Sequence, residues 1–127
     1  MGITMANGTV VKASDVKVGD VQLSYNLKTG ALEPSVITYV QSFITNNTYI
    51  FNGNLKVDSH ETMLINGTWQ KAYKAKVGDT LFNGLLGRNV TIYSIKKLDV
   101  GGRVYDFLGS PVNDYIANGY VIDIQES

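Results

Sequence analysis

Residues Asn7 to Asp20 read N-G-T-V-V-K-A-S-D-V-K-V-G-D, and residues Asn66 to Asp79 read N-G-T-W-Q-K-A-Y-K-A-K-V-G-D. The offset is 59 throughout, and nine of the fourteen positions are identical. A duplication inside one small chain implies two similar halves, here roughly 3–60 and 62–123, related by a pseudo-twofold. Ile3-Thr4-Met5 extends the match toward Thr62-Met63-Leu64. Beyond the core the register drifts: Val36-Ile37-Thr38-Tyr39 echoes Val90-Thr91-Ile92-Tyr93, and Tyr49-Ile50-Phe51 echoes Tyr105-Asp106-Phe107. Loops absorb such length changes cheaply. Two copies are too few for a solenoid.

The residues between the repeats favour strands. Asn7-Gly8, Asn52-Gly53, Asn66-Gly67, Asn83-Gly84 and Asn118-Gly119 are turn signals, because Asn and Gly tolerate positive φ. They separate short runs rich in Val, Ile, Tyr and Thr, the composition of strands. The runs are 9–12, 20–25, 36–45, 48–51, 55–57, 62–65, 80–82, 90–98, 103–107 and 120–124. The long runs at 36–45 and 90–98 are expected to bend and serve two sheets. Single helical turns are expected at 13–16 and 71–75, each ahead of a Lys-Val-Gly-Asp. Pro34 and Pro111 are expected just before strands, where Pro is tolerated. The fold class is all-β, a single domain over 1–127.

Composition narrows the function. The chain carries 11 basic and 11 acidic residues, with no run of like charge. That argues against nucleic acid, which needs a basic stripe, and against a polybasic membrane surface. No apolar run approaches the roughly 18 residues of a membrane helix, and the amino terminus lacks a signal-peptide pattern. With no cysteine, neither disulfides nor thiol chemistry operates within the chain. Met1-Gly2 opens a myristoylation pattern that Ala6 breaks. The sequons at Asn7, Asn46, Asn66 and Asn89 read as turn residues. No cofactor motif is present, and Asp58, His60 and Glu61 alone do not make a metal site.

Three blocks, in order, give the chain a family resemblance. The first is Ile3-Thr4-Met5-Ala6-Asn7-Gly8 with Val16-Lys17-Val18-Gly19-Asp20. The second is Val57-Asp58-Ser59-His60 with Trp69-Gln70-Lys71-Ala72 and Val77-Gly78-Asp79. The third is Val104-Tyr105-Asp106-Phe107 with the stretch from Asp114 to Asp123. Together they resemble the Hint fold of inteins, hedgehog autoprocessing domains and bacterial intein-like domains. The resemblance implies a pseudo-twofold horseshoe of short, bent antiparallel strands. It also implies a self-cleaving chemistry in four parts. A leading thiol or hydroxyl attacks its own upstream carbonyl, a histidine assists at the scissile peptide, a closing Asn cyclises, and a Cys, Ser or Thr accepts the chain.

Matched to those positions, the chain keeps little of that chemistry. His60, its single histidine, stands at the catalytic His as a vestigial candidate. Val57 replaces the Thr three residues before it, Asn113 stands at the second His, Ile122 at the penultimate His, and Asp123 at the closing Asn. Ile124 cannot accept an acyl group. The nucleophile is expected about five residues ahead of Met1 on the family's motif spacing. For His60 the alternatives are a structural residue in a turn, a residual catalyst or a metal ligand. Trp69 reads as core, Asp20 and Asp79 as turn-capping carboxylates, and the eight tyrosines as scattered packing. Leu85 and Leu86 are either exposed contacts or tucked into the core. Ser59 and His60 are expected on opposite faces of a strand, too far apart to act as a pair.

Two functions follow. One is a catalytically degenerate module with a structural or protein-binding role, in a phage virion or on a bacterial surface. The other is an altered autoprocessing domain limited to amino-terminal cleavage. The partner is a protein or the chain's own flanking polypeptide, with no nucleic acid, membrane or cofactor.

Overall fold

The computed structural model describes residues 2–99 and 101–126. Its elements are almost all strands: β1 Gly2–Thr4, β2 Val10–Lys12, β3 Val21–Asn26, β4 Ala31–Thr45, β5 Thr48–Phe51, β6 Leu55–Asp58 and β7 Thr62–Ile65. Then follow β8 Thr68–Lys71, β9 Thr80–Asn83, β10 Arg88–Thr91, β11 Ile95–Leu98, β12 Gly102–Ser110, β13 Tyr115–Ala117 and β14 Tyr120–Ile122. Two one-turn 3-10 helices, Ala13–Asp15 and Ala72–Lys74, fall where single turns were expected. No helix among the described residues is long and apolar enough to cross a membrane.

The repeat is visible in hydrogen bonds. Lys17 N–H donates to Asp20 Oδ2 at 2.9 Å, and Lys76 N–H to Asp79 Oδ2 at 2.9 Å. Gly19 N–H donates to Ile37 O at 2.8 Å and Gly78 N–H to Ile92 O at 2.9 Å; the two isoleucine N–H groups donate back to Asp20 O and Asp79 O. Each Gly-Asp thus clamps a fully buried isoleucine, as carboxylate turns of this kind do. The equivalent pair is Ile37 and Ile92. The sequence echo had aligned Thr38 with Ile92, one residue off, because only the buried face fixes the register of a strand.

Three antiparallel sheets result. The largest has eight strands, in the order β10-β9-β7-β14-β13-β1-β2 with β8 on β7; the others run β11-β5-β6 and β12-β4-β3. The run 90–98 breaks as expected, β10 joining the large sheet and β11 the second. The run 36–45 does not: β4 stays in one sheet and changes partner, pairing β3 through residues 31–36 and β12 through residues 36–45. Pro34 lies inside β4 rather than before it, opposite Leu23, in the stretch that β12 does not reach. There its missing N–H costs no ladder bond. The sheets enclose one core around Ile3, Ile37, Phe51, Met63, Phe107 and Tyr115.

Three of the five Asn-Gly pairs form the expected tight hairpins, with φ of +52° and +72° at Asn52-Gly53, +52° and +84° at Asn66-Gly67, and +49° and +91° at Asn118-Gly119. Both residues left-handed is the twist-matched two-residue turn. At Asn7-Gly8 only Gly8 is left-handed. Asn83 ends β9 and pairs with Tyr120 instead. Gly119 carries a second constraint: a Cβ there would stand 2.5 Å from Asn83 Nδ2, whereas one on Gly67 would meet nothing within 4 Å. Gly67→Ala should cost about 1–2 kcal/mol from backbone strain alone, and Gly119→Ala about 2–4 kcal/mol. Urea unfolding of the two variants checks the order; equal losses would remove the role given to Asn83.

Candidate functional site: the cleft around His60

His60 projects from the turn between β6 and β7. Asp58, at the end of β6, accepts the His60 N–H on its Oδ2 at 2.9 Å and the Glu61 N–H on its carbonyl at 3.0 Å, so the chain reverses at once. The second 3-10 turn holds it from the side: Ala72 N–H donates to Glu61 O at 2.8 Å and Tyr73 N–H to Ser59 O at 2.9 Å. The imidazole itself is 70% exposed. Its Nδ1 lies 3.1 Å from Ser59 Oγ and 3.7 Å from Asp58 Oδ2, and its ring leans on Tyr73 at 5.4 Å between centroids. Ser59 and His60 therefore do meet. Strand alternation does not apply to them, because both sit in the turn.

Beside His60 opens a cleft of about 210 Å³ lined by Gln41, Phe43, Asp58, Glu61, Asp106 and Ile124. Its floor is acidic. Glu61, 5% exposed, is pushed up to about 10, first by burial, then by its hydrogen bond to Asp106 and the charges of Asp106 and Asp58, against a smaller opposing pull from Lys71. At neutral pH it is a neutral acid able to donate. Asp106, 4% exposed, accepts from Gln41 Nε2 at 2.9 Å and from Tyr115 Oη at 3.4 Å. Burial, with Glu61 and Asp106 nearby, raises the Tyr115 hydroxyl too. The arrangement can offer protons and a neutral hydrogen-bond donor at the cleft. Ser59 is 5% exposed, and its hydroxyl lies against the His60 ring rather than on the cleft lining.

The family-matched positions do not gather there. Val57 is packed in the core, and Ile122 is fully buried, paired with Met63 and Tyr115. Asn113 and Asp123 line a different opening, with Tyr25, Trp69 and Asp114. Asn113 Nδ2 donates to Gln125 Oε1 at 2.7 Å, and Asp123 Oδ1 accepts the Gln125 N–H at 3.0 Å. Burial raises Asp123 above the usual carboxylate range. Ile124, an aliphatic side chain, is what this end of the chain presents to His60. Among the described residues no three His, Cys, Asp or Glu side chains are placed to hold a metal ion.

Trp69 is half-buried and walls that second opening, rather than filling the core. Asp114, also in that wall, is raised to about 7 by burial, with the Tyr25 N–H at 2.7 Å pulling it down and Asp123 pushing it up. Leu85 and Leu86 are exposed. Sequence reasoning passed over Glu61 and Asp106 as site residues. Asp106 had a signal: it shares the inward face of β12 with Val104, two residues away, so an acid stands at a core position.

With this geometry in place, the solved structures that resemble the chain are informative. A bacterial intein-like domain from Clostridium thermocellum superposes with a TM-score of 0.82 at 20% identity, over 97% of this chain and 93% of that one. A DnaB intein from Synechocystis gives a TM-score of 0.84 at 17% identity over 97% and 93%. A DnaX mini intein from Spirulina platensis gives 0.75 at 18% identity over 96% and 94%. No protein-family model matches the chain, and neither does any curated protein. The chain has the intein fold, all-β and antiparallel, over nearly its whole length.

The state of Glu61 sets a pH dependence. Folding raises its pKa, so the native state holds a proton that the unfolded chain releases above about 4.5. Its contribution is full below that pH and falls steadily as pH rises toward about 10. Glu61→Gln, which keeps a neutral donor, should flatten this slope and stabilise the fold at pH 8 by a few kcal/mol. Urea unfolding between pH 5 and about pH 9 measures it; parallel curves for the two proteins would show that Glu61 is ionised in the native state.

Proposed function

We propose that this chain is an intein-fold module without splicing chemistry, working by contact with another protein or with its own flanking polypeptide. One observation carries the reading: Ile124 lines the His60 cleft, while Asn113 and Asp123 line another opening. Cyclisation needs an amide nitrogen beside an assisting acid. An aliphatic side chain supplies none, and a carboxylate already engaged by the Gln125 N–H is a poor replacement. Acyl transfer needs a hydroxyl or thiol beyond that point, where Ile124 stands.

A second reading, amino-terminal cleavage alone, draws support from the exposed imidazole, whose Nδ1 is held by Ser59 and whose cleft contains protonated Glu61. The setting we infer for the first reading is a larger assembly, a phage virion or a bacterial surface. Its support is the resemblance to Hint-type domains, a fold-level analogy.

Fusing the chain between two carrier polypeptides, with a Cys placed about five residues ahead of Met1 where the family's motif spacing puts the nucleophile, and following intact mass with and without dithiothreitol separates the two readings. The expected mass is unchanged in both conditions. His60→Ala should leave the mass unchanged as well, and shift stability by about 0.5 kcal/mol or less, the size usual for an exposed side chain. A shorter product from the parent fusion that vanishes in the His60 variant would establish the second reading instead.

A further inference from the structure

The three sheets each leave an edge open at one place. β2 ends the eight-stranded sheet, β6 ends the second and β12 ends the third. All three border a single cavity of about 250 Å³ on the side of the molecule lined by Lys12 from β2, Lys56 from β6 and Arg103 from β12. Ser14, Val104 and Tyr105 complete much of the wall, and no carboxylate lines it. The protein as a whole has zero formal charge, so three cations on one cavity are a local concentration and not a general excess. None of the three is salt-bridged among the described residues.

Two of these cations are set in place by the fold. Arg103 Nη1 donates to Ser42 Oγ at 2.9 Å, which ties the guanidinium to the neighbouring strand β4. The Lys56 ammonium lies beside Gly102 of β12, 3.4 Å from where a Cβ would stand. Low-dielectric walls, here the buried Ala13 and Val104, focus the field of such a cluster.

We propose that this cavity is the docking site for an extended acidic peptide segment of a partner protein. The inference rests on the protein-contact reading above and names the chemistry of the partner. Open strand edges supply unpaired backbone donors and acceptors, which an extended chain satisfies by pairing along them. The three cations meet its carboxylates, and the apolar wall takes the intervening side chains. Lysines on strand edges also serve to block self-pairing. That role requires charge on each edge, but not the convergence of three edges on one carboxylate-free cavity.

The test uses the full chain and a short fluorescein-labelled peptide of alternating Glu and Thr, read by fluorescence anisotropy. A Gln-Thr peptide of the same length is the neutral control. Binding should be confined to the acidic peptide and weaken with salt. The triple variant Lys12→Gln/Lys56→Gln/Arg103→Gln should lose at least about tenfold in affinity, while Lys28→Gln/Lys74→Gln/Lys96→Gln, an equal charge change elsewhere on the surface, should lose under about threefold. Circular dichroism and melting confirm that both variants fold. Four results would overturn the proposal: no binding to the parent chain, equal losses in the two triple variants, displacement of the peptide by inorganic phosphate at comparable concentration, or self-association of the first variant with unchanged affinity. These leave the non-splicing reading untouched. Self-cleavage in the fusion would overturn that reading whatever the peptide does.

Discussion

The structure depends on an exchange of strands between the two copies of the repeat. β5, from the first copy, pairs with β11 from the second, and β12, from the second, pairs with β4 from the first. Each of these two sheets is a first-copy hairpin, β5–β6 or β3–β4, extended by one strand of the second copy. Without the added strands these sheets would be lone hairpins, and a short isolated pair of strands is marginal in water. The large sheet adds a second tie, since β1 of the first copy pairs with β13 of the second. The halves are thus repeats in sequence but not independent folding units. The pairings that join the copies span long sequence separations, which favours slow folding.

That exchange also explains where the polar groups are buried. β12 must reach across to β4, and it carries Asp106 inward at the point where the β6–β7 turn brings Asp58 and Glu61. A charged carboxylate pair there would carry a desolvation cost beyond what a neighbouring Lys71 offsets. Protonating Glu61 removes the like-charge conflict and turns it into a hydrogen bond to Asp106. Gln41 donates to Asp106 Oδ2 and Tyr115 to Asp106 Oδ1. The cluster is therefore largely satisfied from within the fold, and it reads first as part of the architecture.

Much of the fold was legible in the sequence because its signals are local. The Asn-Gly hairpins, the Gly-Asp clamps and the strand between each pair follow from positive φ, carboxylate turns and period-two burial, all carried by neighbouring residues. What escaped was non-local. Nothing near 36–45 says that β4 changes partner within one sheet, because that depends on how far β12 extends. Trp69 looked like core because large aromatics usually are; its ring stands at an opening shaped by Tyr25 and Asp123, residues far from it in the chain. The same limit governed the site. The alternation rule that kept Ser59 and His60 apart holds in strands, and Asp58 ends the strand one residue too soon.

The turn that displays His60 separates what the architecture requires from what chemistry would require. Asp58 captures the backbone N–H of residue 60, and the second 3-10 turn holds the backbones of Ser59 and Glu61. Each of these bonds would persist with any residue but proline at position 60, so the fold does not demand an imidazole. Its only described side-chain contacts are the Ser59 hydroxyl, the Asp58 carboxylate and the Tyr73 ring. An assisting histidine is useful only when a scissile peptide and a nucleophile lie within hydrogen-bond reach of the ring. On this side of the cleft the chain offers an isoleucine. The scaffold can therefore present the histidine without using it, because the backbone bonds that fix its place are indifferent to the side chain they display.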